Sequence, residues 1–181
     1  MKKILVVVDM QNDFVDGALG TPEAVAIVDN VVDKIKSYAA DPDSLIYVTY
    51  DTHTEDYMDT AEGKKLPVPH CIQYTEGWKL NSKVQAALAG VHFTLVIKHT
   101  FGAYDLPEII GDDVYLAEDF TVEFIGLCTD ICVVSNVMLM KAYWHEVPIT
   151  VDASCCAGVT TDTHNAALTT MKMCQINVIG E

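Results

Sequence analysis

The chain has 181 residues, half of them hydrophobic, which suits one domain with a sizeable core and excludes a disordered polymer. Eleven basic residues stand against 26 acidic ones, for a net charge of −15, and all eleven are Lys. An acidic surface cannot release counterions from a phosphate backbone, so nucleic acid is not an expected partner. Without Arg the chain also lacks the planar fork that grips carboxylates and phosphates, which favours a small, neutral or weakly charged substrate.

In chain order, Lys2-Lys3 followed by Ile4–Val8 has the outline of an export signal, but Asp9 ends the apolar run after five residues. That is shorter than the roughly 7–15 residues an export signal requires. The run therefore reads as a strand covered on both faces, and the protein as cytosolic. No apolar run approaches the ~18–20 residues of a membrane span. Thr21-Pro22-Glu23 opens a helix that carries Val25, Val28, Val31, Val32 and Ile35 at helical spacing. Leu45–Thr49 is a second strand, and Asp51–Gly77 has no core pattern, as functional loops often do not. Asn81–Leu88 is a short helix and Thr94–Ile97 a third strand. Val122–Leu127 is a fourth strand, Ile131–Trp144 a helix free of Gly and Pro, and Pro148–Val151 a fifth strand. Thr161-Asp162 caps a last helix through Met173, and Ile176–Ile179 is a sixth strand. The expected fold is α/β: a three-layer, doubly wound, mostly parallel six-stranded sheet with helices on both faces, one domain over residues 1–181. In such sheets the site lies beyond the carboxyl ends of the strands. Six cysteines in a chain able to build its own core are expected to be reduced.

Four strand ends carry reactive side chains: Asp9, then Asp51 with His53 close behind, then Lys98, then Cys128-Thr129-Asp130-Ile131-Cys132. Parallel topology brings all four to one edge. Of the two thiols, Cys132 is better placed as nucleophile, because Thr129 and Asp130 can cap the helix and leave it in the first turn, where free amides favour an anion. Asp9 is the candidate base and Lys98 the candidate cation that stabilises a thiolate. Amides at the start of that helix can bind an oxyanion. Asp51, His53, Glu62 and His70 form a second constellation of mixed nitrogen and oxygen donors, suited to zinc, manganese or iron, with Glu55, Asp56 and Asp59 as alternatives to Glu62.

These residues resemble the nicotinamidase branch of the isochorismatase-like cysteine hydrolases. The resemblance rests on Val8-Asp9-Met10-Gln11-Asn12-Asp13-Phe14, Asp51-Thr52-His53, Leu66-Pro67-Val68-Pro69-His70-Cys71, Ile97-Lys98-His99-Thr100-Phe101-Gly102-Ala103-Tyr104, and Gly126-Leu127-Cys128-Thr129-Asp130-Ile131-Cys132-Val133. Gly158-Val159-Thr160 fits as well, so the match runs from residue 3 to about residue 178. It implies an Asp9–Lys98–Cys132 triad, an oxyanion hole on the backbone amides of Cys128 and Cys132, and a cis peptide between Leu127 and Cys128. It also implies one divalent metal ion, zinc first, on Asp51, His53, His70 and Glu62, which holds a pyridine nitrogen while the carboxamide faces the thiol. Phe14 and Tyr104 are the implied walls of the substrate site, and Trp78 is a further candidate. Leu66 stands where the family usually has an aromatic residue. Members of the family often form dimers or larger assemblies, so a homo-oligomer is a further implication. The leading reading is conversion of nicotinamide to nicotinate and ammonia through a thioester on Cys132; the nearest rival is a related hydrolase of an N-carbamoyl compound or ureide. An isochorismatase, a catalytically silent interaction module and a thiol–disulfide protein fit less well, the last because Cys128 and Cys132 are spaced C-x-x-x-C.

Overall fold

The computed structural model describes residues 1–114 and 119–181. Strands β1 (Lys2–Val8), β2 (Ser44–Asp51), β3 (Thr94–Lys98), β4 (Phe120–Leu127), β5 (Ile149–Ala157) and β6 (Asn177–Ile179) form one sheet in the order β3-β2-β1-β4-β5-β6. Every pairing is parallel, so the sheet goes beyond the mostly parallel expectation. The helices are α1 (Asn12–Val15), α2 (Pro22–Ala26), α3 (Val28–Ala39), α4 (Ser82–Ala87), α5 (Leu106–Val114), α6 (Val134–Tyr143) and α7 (Thr161–Met173). No described helix is long and apolar enough to cross a membrane.

The central strand explains its own composition. Ile4, Val6 and Val8 of β1 face a core closed by Leu106, Ile110, Val137, Met140, Leu168 and Met171 from α5, α6 and α7. Leu5 and Val7 face a second core built with Val31, Ile35 and Val84 from α3 and α4. Burial on both faces demands an unbroken apolar run, and each such side chain contributes about 1.5–3 kcal/mol. The strand order reverses direction between β1 and β4, and the carboxyl ends of those two strands open the crevice where sites form in sheets of this kind. Gly126 allows that closeness: its φ is +114°, and a Cβ there would sit 2.1 Å from the Val8 carbonyl oxygen.

Several local expectations are revised. The helix opened by Thr21 breaks at Ile27 into α2 and α3, and Thr21 caps α2 by accepting from the Ala24 amide. Helices α1 and α5 are additional. Strand β5 runs six residues beyond Val151, to Ala157. Helix α7 is capped by Thr160, not by Thr161-Asp162, through a reciprocal capping box with Thr163.

Candidate active site

Asp9, the residue after β1, takes a left-handed φ of +47° and is fully buried. Non-glycine residues adopt that conformation rarely, and it is a recurrent feature of functional turns. Thr49 donates its hydroxyl proton to Asp9 Oδ1 at 2.6 Å. Lys98, at the end of β3, places its ammonium 2.7 Å from Asp9 Oδ2 as an ion pair, and that buried oxygen has no aligned hydrogen-bond donor. The same ammonium lies 3.0 Å from Asp51 Oδ1, 3.1 Å from the Thr100 carbonyl oxygen and 3.5 Å from Cys132 Sγ. Register explains part of this, since Asp51 and Lys98 are direct partners across β2 and β3. Asp9 and Cys132 thus both lie beside the Lys98 ammonium.

The turn that holds the thiol differs from the capped first turn that the sequence suggests. Cys132 lies in a π-helical turn, Thr129–Val133, whose cap is Cys128 and carries no side-chain capping bond. Thr129 and Asp130 turn away to other partners, described below. Burial pushes the Cys132 thiol well up, with Lys98 the group that opposes it. Burial also raises the Asp9 carboxyl, against the pull of Lys98. Lys98 itself is held well above the usual lysine range: burial works against its charge, but the charges of Asp9, Cys132 and Asp51 outweigh burial. Burial thus favours the neutral thiol, and the Lys98 ammonium is the group that draws it toward the thiolate. The Leu127–Cys128 peptide is cis, as the resemblance implies.

The second constellation also assembles. Asp51, His53 and His70 bring ligand atoms within 4.8 Å of one another. Asp51 Oδ2 is 3.0 Å from His53 Nε2 and 3.5 Å from His70 Nε2. Glu62 Oε1 joins them at 3.8 Å and 3.6 Å from the same two nitrogens. Glu55, Asp56 and Asp59 are exposed, so Glu62 is the carboxylate that the fold delivers. His70 Nδ1 bonds to the Val68 carbonyl oxygen at 2.9 Å, which turns Nε2 toward the cluster in the manner of metal-binding histidines. His53 Nε2 is buried with no hydrogen-bond partner. An orphaned imidazole nitrogen facing two carboxylates and a second imidazole fits a divalent cation.

A cavity of about 290 Å³ joins the two centres. Cys132, Asp51, His70 and Glu62 line it together with Phe14, Leu66 and Phe101. Of the three residues considered for the substrate site, Phe14 and Leu66 line this cavity, whereas Tyr104 is 82% exposed and absent from the lining. Asn136 accounts for this by accepting from the Ala103 amide at 2.9 Å, which fixes the turn with Phe101 inward and Tyr104 outward. Trp78 packs on Tyr50 and donates to Thr52 Oγ1, so it is a structural residue outside the lining.

Four supporting residues escaped the sequence reading of function. Gln11 is fully buried, and its amide exchanges bonds of 2.8 Å with the backbone of Asp51 in both directions. Asp13 Oδ2 accepts from the Cys71 amide at 2.8 Å, beside His70. Thr49 orients Asp9. Asn136 donates to the Cys132 carbonyl oxygen at 2.8 Å. A buried asparagine four residues after Cys132, in a mostly apolar helix, is the one signal of these that pattern reading could have used.

The family model described as "Isochorismatase domain" matches residues 3–180. No curated protein sequence matches the chain significantly. Among solved structures, the chain is similar to the nicotinamidase/pyrazinamidase of Bacillus subtilis at 27% identity, with a TM-score of 0.83 over 99% of this chain and 100% of that one. It is similar to the pyrazinamidase/nicotinamidase of Streptococcus mutans UA159 at 26% identity, with a TM-score of 0.80 over 98% of this chain and 100% of that one. The pyrazinamidase of Pyrococcus horikoshii, solved in complex with zinc, shares the fold at 23% identity, with a TM-score of 0.78 over the full length of both chains.

Proposed function

For this chain, which belongs to the isochorismatase-domain family and is an amide-hydrolysing enzyme of it, we propose a cysteine amidohydrolase acting on nicotinamide, with Asp9, Lys98 and Cys132 as its catalytic residues. The observation that carries this reading is the single buried ammonium of Lys98 within reach of both Asp9 and Cys132, where Cys132 lines a cavity shared with the histidine–carboxylate cluster.

The chemistry follows from this arrangement. Cys132 Sγ attacks the amide carbonyl carbon as its proton passes to Asp9, whose buried carboxylate is a stronger base than one in water. Lys98 stabilises the sulfur as negative charge develops on it. The carbonyl oxygen, now an oxyanion, is held by the backbone amides of Cys128 and Cys132. Asp9 returns the proton to the leaving nitrogen, the C–N bond breaks, and ammonia departs from a thioester on Cys132. A water molecule, deprotonated by Asp9, then opens the thioester and releases the acid and the thiol. Asp51, His53, Glu62 and His70 would hold one divalent metal ion, zinc before manganese or iron, and that ion would supply a Lewis-acid contact for a ring nitrogen. Phe14 and Leu66 flank the ring. The reading includes a cytosolic enzyme that meets a small-molecule amide and neither nucleic acid nor membrane.

Ammonia release from nicotinamide, pyrazinamide, benzamide and an N-carbamoyl amine is the test. The expected result is turnover of the two ring-nitrogen amides, with an acyl adduct on Cys132 found by mass spectrometry after acid quench. Turnover confined to the carbamoyl compound would replace the substrate, and turnover of none would overturn the reading.

A further inference from the structure

The π turn that, with its cap residue Cys128, carries both proposed oxyanion amides and the proposed nucleophile has no side-chain capping bond of its own. It is held from the side, by the segment that leads into α7. Thr129, fully buried, shares a 2.8 Å hydrogen bond between its hydroxyl and His164 Nδ1 in the first turn of α7. Asp130 takes the Val159 amide on both carboxylate oxygens, at 3.0 and 3.2 Å. Gly158 makes the approach possible, because a Cβ there would lie 2.9 Å from His164 Cβ and 3.0 Å from Asp130 Oδ2. The capping box of Thr160 and Thr163 fixes where α7 begins, and so where His164 stands. Gly158 and Val159 also line the substrate cavity, so this brace touches the cavity on one side and the turn on the other.

We propose that His164 is a positioning residue for the hydrolytic reaction, acting through its Nδ1 bond to Thr129 to hold the Cys128–Cys132 turn in the geometry that binds the oxyanion. His164 does not touch the thiol or line the cavity, so its effect falls on the transition state and not on substrate affinity. A donor displaced by a few tenths of an ångström loses much of its worth to an oxyanion, while Phe14, Leu66 and the proposed metal ligands keep their places. The inference rests on the proposed amidohydrolase reading.

The test uses side chains that separate the two ring nitrogens. Asn offers its amide near the place of Nδ1, whereas Gln offers it near the place of Nε2. His164→Ala and His164→Gln are expected to lower kcat about tenfold with KM within about twofold of wild type, and His164→Asn to recover most of the loss. Thr129→Val should match His164→Ala, and Thr129→Ser should retain activity. Because the two side chains act as one unit, the double variant His164→Ala/Thr129→Val should lose no more than either single one. Thermal midpoints of the Asn and Gln variants are expected to agree, which a merely structural role for bulk would also give. The split between Asn and Gln in kcat is what that role would not give. Wild-type kcat in His164→Ala, equal rescue by Asn and Gln, or multiplied losses in the double variant would each overturn the inference and leave the amidohydrolase standing. A wild-type protein that releases no ammonia from any amide in the panel would overturn both.

Discussion

Replacing Lys98 by Met keeps the reach of the side chain and deletes its charge. In the native protein that charge lies 2.7 Å from one buried carboxylate and 3.0 Å from another, on a side chain 1% exposed. Removing one partner of a buried ion pair costs about 3–5 kcal/mol, because the other is left uncompensated. Here Asp9 can escape part of that cost by taking up a proton, since burial already raises its carboxyl. The expected loss of stability is therefore near the lower figure, about 3 kcal/mol. The escape disables the chemistry: a protonated Asp9 cannot accept from the thiol. The thiol in turn loses the group that opposes the upward push of burial. Turnover should fall by at least about 10²-fold. The raised Lys98 pKa gives stability that is present below the unfolded lysine value and lost only as pH rises through the higher folded one. The Lys98 contribution to the gap between wild type and variant closes only in strong alkali, while the proton that Asp9 takes up in the variant makes the gap widen as pH rises above the unfolded carboxylate value. Ammonia release gives the turnover, urea melts give the stability, and iodoacetamide alkylation against pH gives the thiol, whose inflection should move to higher pH. An unchanged alkylation profile, or a variant that keeps about a tenth of wild-type turnover or more, would refute the reasoning.

Cys132→Ala should abolish hydrolysis while the fold survives. Cys128, whose thiol burial pushes up to about 12, stays protonated and contributes only its backbone, so Cys128→Ala should cost less than about tenfold; equal losses would reverse the assignment. Purified protein should hold about one divalent metal per chain, with occupancy falling as pH drops through about 6–7, because imidazole ligands must be neutral. Chelation should harm nicotinamide far more than benzamide, which has no ring nitrogen, and equal harm would remove the orienting role. Away from the site, Lys34 bridges Glu123 at 2.6 Å and Asp152 at 2.8 Å. Against burial, bonds from Lys34 and Ser154 hold the Asp152 carboxyl below its usual range, a contribution present above the unfolded value and lost as pH falls through the folded one. Lys34→Met should cost about 1–2 kcal/mol at pH 7 in urea melts, with the gap closing below about pH 4 and kcat unchanged.

The strands were legible because burial on both faces leaves a composition that nothing else produces; Asp9 and Lys98 were legible because each stands where such a strand ends, and Cys132 because it lies in the turn that follows β4. The metal cluster was legible in its histidines, while Glu62 became distinguishable from its acidic neighbours only when the loop between β2 and α4 folded back. Helix α5 hid behind Pro107 and Gly111; the glycine is there because a Cβ would come 3.0 Å from the Trp144 ring, a constraint between residues far apart in sequence. Thr129 and Asp130 read locally as caps, and only the tertiary partners His164 and Val159 redirect them. The outward turn of Tyr104 depends on one amide accepted by Asn136, which no window of the sequence displays.

The stretch from Asp9 to Phe14 behaves as a drilling jig. Asp9 faces Lys98, and Gln11 grips the backbone of Asp51 and the Trp78 carbonyl oxygen. Asn12 donates to the Glu76 carbonyl oxygen, Asp13 anchors Cys71, and Phe14 meets the His70 ring edge-on with centroids 5.4 Å apart. The proposed general base and the loops that bear the proposed metal ligands are thus indexed from one short rod, so neither centre can be re-spaced without moving the other. Deleting a single residue here should disable both at once, whereas a deletion at the exposed Asp16–Ala18 turn, one helix later, should leave the base in place. For anyone reshaping this scaffold, the ligands are separately exchangeable parts, and the interval between the two chemistries is not.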